Sequence, residues 1–311
     1  MKNEAKKYFQ EEIYGTLPNK PEQVSGKVVE IDCNFAAGKA TLKTIEIQIL
    51  YQGQHLSFPI RYCFPNNGKA NKTVILLNFR AEVPDKYLPA EEVIDRGWAF
   101  VSLCYLDVTS DDGDFENGLA KALHKQGAGK IMMWAWSAMR AMDYLETLDT
   151  VDRDNVAVVG HSRLGKTALV AAAFDERFRF VHANNSGTGG AALYGMENER
   201  SEHIFDLLKA FPYWFCENFQ KYVGKERELL YDQDVLLSLI APRIVSIGSA
   251  ETDFWANPAA ERKSVENARK QWVEMGETEE KVGYYIRKGN HYFSREDWDK
   301  FLSFFDLFIK E

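Results

Sequence analysis

Up to about residue 70 hydrophobic and polar positions alternate, in Lys27–Cys33 (KVVEIDC), Lys43–Tyr51 (KTIEIQILY) and His55–Phe64 (HLSFPIRYCF), with glycine-containing turns between them. Period-two alternation rich in β-branched residues suits strands with one covered face, so this stretch predicts an antiparallel start to a sheet. Beyond it the texture changes. Continuous apolar runs appear at KTVILLNF, WAFVSLCY, NVAVVG, RFVHANNS, RIVSIGSA and KVGYYIRKG, most ending in polar residues or glycine. A run apolar on both faces fits a strand covered by helices above and below. Helical spacing separates these runs. In Gly129–Leu148 a stripe of Ile131, Trp134, Ala135, Ala138 and Met142 is widened by Trp136, Met139 and Leu145, and Pro258–Gly276 and Arg295–Glu311 repeat the pattern. The order predicts an α/β fold: a mostly parallel, doubly wound sheet with antiparallel N-terminal strands, in three αβα layers, whose ligands gather at the carboxyl ends of the strands.

Composition narrows this picture. The 311 residues contain no linker, charge block or repeat, so one domain over residues 1–311 is expected. A net charge of -8 offers no basic face, which argues against nucleic acid or an anionic membrane as partner. The opening MKNEAKKYFQEEIYG lacks the apolar core of a signal peptide and no segment approaches a membrane span, so the chain as given is expected in the cytoplasm. Cys33, Cys63, Cys104 and Cys216 are scattered in or beside apolar segments, as packed thiols rather than a disulfide frame or zinc site. No metal or cofactor is implied.

The chemistry centres on VAVVGHSRLGKTAL, Val156–Leu169, where a buried strand stops at a serine and a helix begins. Such a turn lifts the Ser162 hydroxyl above the sheet and aims the helix's free amides at whatever it attacks. The usual spacing is G-x-S-x-G; here Gly160 and Ser162 fit, but the second glycine comes one residue late, at Gly165. Ser162 as a plain helix cap is the competing reading. Serine needs a base, and a base needs an orienting acid, in the chain order Ser, Asp or Glu, His. Asp253, with Glu251 second, follows the late strand RIVSIGS; His291 follows the last strand. The other histidines fall in strands or irregular segments, and His161 is expected to point away from the serine. For the oxyanion, the amide of Arg163 and one from the loop near Phe79 and Arg80 are the expected donors, with the Arg163 guanidinium nearby.

From about Val74 onward the chain resembles the glucuronoyl esterases, carbohydrate esterase family 15, and related bacterial acetyl xylan esterase-like hydrolases. The motifs are GHSRLGKTAL, NNSGTGGAAL, FPYWFCENF, LIAPR, SAETDFWANP and NHYF. The resemblance implies an α/β-hydrolase fold, Arg163 in the oxyanion site, Lys166 reaching a sugar hydroxyl and Trp255 packing on the sugar. It also implies a substrate-binding glutamate, for which Glu199 and Glu202 are the candidates. Trp214 reads as core. Many members carry the acid after the strand that follows the elbow helix, a place held here by Asn185; others carry it at the position of Asp253, as this chain must.

The expectation is a serine carboxylic-ester hydrolase acting on a small carbohydrate ester, most simply a glucuronate ester. The alternative is an acetyl xylan esterase-type deacetylase. A prolyl-oligopeptidase-type peptidase and a hydrolase-fold binding protein with a decayed site rank lower.

Overall fold

The computed structural model of the chain describes residues 2–196 and 198–309. Nine strands among them form one sheet: β1 Gln23–Phe35, β2 Ala40–Tyr51, β3 Gln54–Pro65, β4 Asn71–Asn78, β5 Ala99–Cys104, β6 Val151–His161, β7 Phe180–Asn184, β8 Ile244–Ala250 and β9 Val282–Arg287. Their order is β1-β2-β3-β5-β4-β6-β7-β8-β9. The first three strands are antiparallel and β3 joins β5 antiparallel; from β5 to β9 every pairing is parallel. Four long helices matter below: α1 Lys130–Leu145, α2 Arg163–Phe174, α3 Pro258–Glu274 and α4 Arg295–Asp306.

The apolar runs of β4 to β8 are buried on both faces, as unbroken runs require, whereas the edge strand β9 leaves Ile286 exposed. In β6, Val156 and Val158 enter a core shared with α1, α2 and α3, while Ala157 and Val159 enter a second core built on α4 and the short helix Ala90–Asp95. The three layers follow from that alternation.

One difference from the sequence pattern is α1, expected to bury a stripe. Every residue of it except Asp143 is buried. The β1–β2 hairpin covers the side that would otherwise meet water: Tyr51 meets the Trp136 ring edge-on at 5.5 Å, and a side chain at Gly26 would overlap the Tyr144 ring. The N-terminal residues also hold an element that the strand pattern does not announce. Lys2–Tyr8 is helical and continues as a wider turn over Phe9–Tyr14, packed through Ala5, Phe9, Ile13 and Tyr14. The spacing of Ala5, Phe9 and Ile13 was its available signal.

The cysteines need a correction. All four are free, Cys63 and Cys104 are buried as expected, Cys216 is half-buried, and Cys33 is exposed. Cys33 lies on β1, an edge strand largely open to solvent. Among the described residues no helix is long and apolar enough to cross a membrane.

Candidate active site

At the carboxyl end of β6 the backbone turns sharply. Ser162 takes φ +57° and ψ −128°, and α2 starts at the next residue. This strained conformation persists because the surroundings fix it: the Ser162 amide donates to Asn184 O at 2.8 Å, and Ser162 O accepts from the amides of Gly165 and Lys166 at 2.9 and 3.1 Å. Gly160 is required, since a Cβ there would lie 2.0 Å from Leu164 O. The late second glycine serves the same close approach. A Cβ on Gly165 would press on Ser186 Cβ at 3.1 Å and on Gly160 O at 3.2 Å, so the displaced spacing still lets α2 sit tight on β6 and β7.

Ser162 Oγ lies 2.9 Å from His291 Nε2, and His291 Nδ1 lies 2.7 Å from Asp253 Oδ2. Three distant loops thus converge in one hydrogen-bonded line, which is how an imidazole is set to take a hydroxyl proton while a carboxylate fixes its tautomer. Asp253 is buried and Glu251, its sequence rival, is exposed. Asn185, at the place where the resemblance allows an acid, does not stand idle: its Nδ2 donates to the same Asp253 Oδ2 at 2.6 Å. Burial opposes the charge on Asp253, but the hydrogen bond and charge of His291 and the Asn185 amide outweigh it and hold its pKa below the ordinary aspartate value.

The loop carrying His291 is caged from below by Arg287. The Arg287 guanidinium donates to the carbonyls of Lys288 at 3.0 Å, Asn290 at 3.2 Å and Tyr292, and its Nε is held by buried Asp297 at 2.7 Å. Thr252 ties this loop to the one bearing Asp253, its amide and hydroxyl both donating to Gly289 O, at 3.0 and 2.6 Å. His161 bonds to Asn184 rather than to Ser162, and its ring lies 4.6 Å from that of His291. Burial and the neighbouring imidazole push its pKa down to about 3, so a neutral ring, bonded to Asn184 Oδ1 at 2.8 Å, underlies His291.

On the other side of Ser162, the Arg163 guanidinium lies against a stacked pair of rings, Trp214 and Phe211, whose centroids are 3.9 Å apart. It lies 4.6 Å over the Trp214 ring and 5.0 Å over Phe211, and its Nη1 is bonded to Asp111. Asp111 Oδ1 also accepts from Trp214 Nε1 at 2.7 Å. Trp214 is therefore buried as expected, but it supports the arginine. The Nε of Arg163 is buried with no partner among the described residues, a donor left for something else. Phe79 borders the site through His161, at 6.1 Å between rings, while the Arg80 side chain turns to Glu82.

Three of the four expected sugar-binding residues meet. Lys166 is not an exposed helix lysine: it is 4% exposed, its Nζ donates to Ser186 O and Thr188 O at 2.6 Å each, and Glu202 Oε2 lies 3.5 Å away. Burial lowers its pKa, opposed by Glu202 and Glu261. Glu202 Oε1 in turn accepts from Trp255 Nε1 at 3.2 Å, and Trp255 is 51% exposed beside the Asp253 loop. Glu199 stands apart, exposed on the turn before Glu202.

Asp111, Arg287 and Glu261 are absent from the sequence reading. Asp111 sits in a polar run, TSDDGDFENG, that reads as a solvated loop, and Arg287 ends a strand whose partner is 10 residues on. Glu261, buried in the first turn of α3, accepts from Ser186 Oγ at 3.0 Å, Gly187 N at 2.9 Å and Ser249 Oγ at 2.5 Å. A lone acidic residue at a helix start looks like an ordinary dipole partner, and only the fold reveals its burial.

Strand order, elbow and the histidine-bearing last loop make this an α/β-hydrolase. Within that class the chain belongs to the glucuronoyl esterase family: the family profile described as "Glucuronyl esterase, fungi" matches residues 47–276. A carbohydrate esterase, MZ0003, from an unknown prokaryotic organism is 36% identical over 238 residues, 70% of this chain and 55% of that protein. A 4-O-methyl-glucuronoyl methylesterase of Podospora anserina is 27% identical over 292 residues, 90% of this chain and 56% of its own length. The chain thus spans about half the length of the curated relatives it matches. Among solved structures, a glucuronoyl esterase from Solibacter usitatus superposes with a TM-score of 0.88 at 27% identity, covering 98% of this chain and 91% of that one.

Proposed function

We propose that the chain is a serine esterase that cleaves esters of a glucuronate-type sugar acid through an acyl-enzyme. The observation that carries this reading is the line Ser162 Oγ, His291 Nε2, His291 Nδ1, Asp253 Oδ2, at 2.9 and 2.7 Å, on a positive-φ elbow. Ser162 attacks the ester carbonyl while His291 takes its proton; the tetrahedral oxyanion is met by the amides at the start of α2 and by the Arg163 guanidinium. Collapse expels the alcohol, which leaves with the proton from His291. Water, deprotonated by the same imidazole, then attacks the acyl-enzyme, and the sugar acid departs as Ser162 regains its proton. Asp253 steadies the imidazolium in both halves, with Asn185 steadying Asp253.

The sugar half of the reading rests on Lys166, Glu202 and Trp255, a charged pair beside a flat exposed ring on which a pyranose can stack. It is further supported by relatives and structural neighbours named for glucuronoyl ester hydrolysis.

The test is hydrolysis of methyl and benzyl glucuronate esters beside an acetylated xylo-oligosaccharide and an aryl acetate, by the wild type and Ser162→Ala. Turnover of the uronate esters that vanishes in the variant supports the proposal. Serine-dependent release of acetate alone transfers the assignment to a deacetylase.

A further inference from the structure

Lys130, the first residue of α1, has no role in the reaction just described, and burying an ammonium is costly unless every proton is bonded. The side chain is completely buried, and its protons are taken by one loop. Nζ donates to the carbonyls of Ser110 and Asp114 at 2.7 Å each, and the hydroxyls of Thr109 and Ser110 lie at 3.2 Å. Asp112 Oδ1 lies 3.6 Å away and the Phe115 ring faces the charge at 5.1 Å. The loop closes on itself around this centre: Asn117 Oδ1 accepts from Ser110 N at 2.9 Å and from Thr109 Oγ1 at 3.0 Å, and Asp112 Oδ1 accepts from Ser110 Oγ at 2.6 Å. Carbonyls and hydroxyls converging on a point charge are the usual surroundings of a bound cation. Here the cation is covalently part of the chain.

The residue in the middle of this wrapped loop is Asp111. Its side chain leaves the ammonium behind and faces the active site, where it holds Arg163 Nη1 and Trp214 Nε1, while Asp111 O accepts from Tyr213 OH at 2.8 Å. We propose that Lys130 is a positioning residue for the oxyanion side of the site: its ammonium shapes the 109–117 loop so that Asp111 fixes the Arg163 guanidinium beside Ser162. The proposal rests on the reading of Arg163 as a group that meets the oxyanion. The guanidinium is aimed before substrate arrives, so no rearrangement is needed when charge develops.

The experiment is a double-mutant cycle on a benzyl glucuronate ester, with kcat, KM and thermal midpoint measured for Lys130→Met, Arg163→Ala and the double variant. Loss of the guanidinium is expected to lower kcat by on the order of 10²-fold. Lys130→Met is expected to lower kcat by roughly tenfold or more with little change in KM, through misplacement of that group. In the Arg163→Ala background the lysine change is expected to have no further effect on kcat. Equal kcat losses with and without Arg163, or a lowered thermal midpoint with kcat intact, overturn the proposal and leave the Arg163 reading standing. An unchanged kcat in Arg163→Ala overturns that reading and the proposal with it. Should Lys130→Met not fold, Ser110→Ala removes one hydroxyl from the ammonium's shell and enters the same cycle, with a smaller loss that must again vanish without Arg163.

Discussion

On one side of Ser162 the polar groups come from loops after β6, β8 and β9 and bond to one another in a line that ends at the hydroxyl. On the other side Lys166 is bonded to backbone carbonyls and paired with Glu202, which holds Trp255, so that the half-exposed indole is the part left open to solvent. In the proposed function the first arrangement moves a proton and the second holds the sugar. The difference teaches that the two halves should fail differently: damage to the first lowers turnover, damage to the second weakens binding.

The largest effect separates them outright. Ser162→Ala is expected to lower kcat on a glucuronate ester by roughly 10⁴-fold or more, with substrate still binding by calorimetry. Asp253→Asn is expected to cost about 10⁴-fold in kcat, since the amide favours the wrong tautomer of His291. Adding Asn185→Asp to that variant restores a carboxylate at the neighbouring position, and steady-state kinetics should show part of the loss recovered. Asn185→Ala alone removes one hydrogen bond to the charged Asp253, worth roughly ten- to a hundredfold in kcat. Trp255→Ala and Lys166→Met are expected to raise KM about tenfold while changing kcat less, and a kcat loss matching Ser162→Ala would erase the distinction between the halves.

The smallest effect concerns Glu261, which lies under both halves through Ser186, Gly187 and Ser249. Burial raises its carboxyl from the ordinary 4.5 to about 7, against the pull of its three hydrogen-bond donors. Glu261 by itself therefore holds more protons folded than unfolded between those values, and its contribution to stability falls as pH rises from 4.5 to 7, against the opposite contribution of the buried, neutral His161 and His182. In urea titrations the stability of the wild type relative to Glu261→Gln should therefore fall as pH rises across the window, and a difference independent of pH would refute it.

The fold and the proton line were legible in the sequence for the same reason: both are written in order along the chain. Apolar runs flag each parallel strand, and Ser162, Asp253 and His291 each follow one. Lys166, Trp255 and Glu202 were legible only through resemblance, because nothing in their spacing brings a helix lysine to a carboxylate 36 residues away. Asp111, Lys130, Arg287 and Glu261 were not legible. Their partners are backbone carbonyls, amides and hydroxyls of distant loops, and such contacts leave no periodicity. The same blindness explains α1: its stripe records the core it faces, whereas the hairpin that covers its back is recorded in β1 and β2.

The placement of β9 has a consequence for heat. His291 hangs from β9, which has a sheet neighbour on one side only, while Ser162 stands on β6 in the middle of the sheet. Edge elements open at lower free energy than central ones. Warming should accordingly part the imidazole from the hydroxyl before the cores around β4 and β6 give way, so that inactivation precedes melting and amide exchange quickens first along Val282–Arg287.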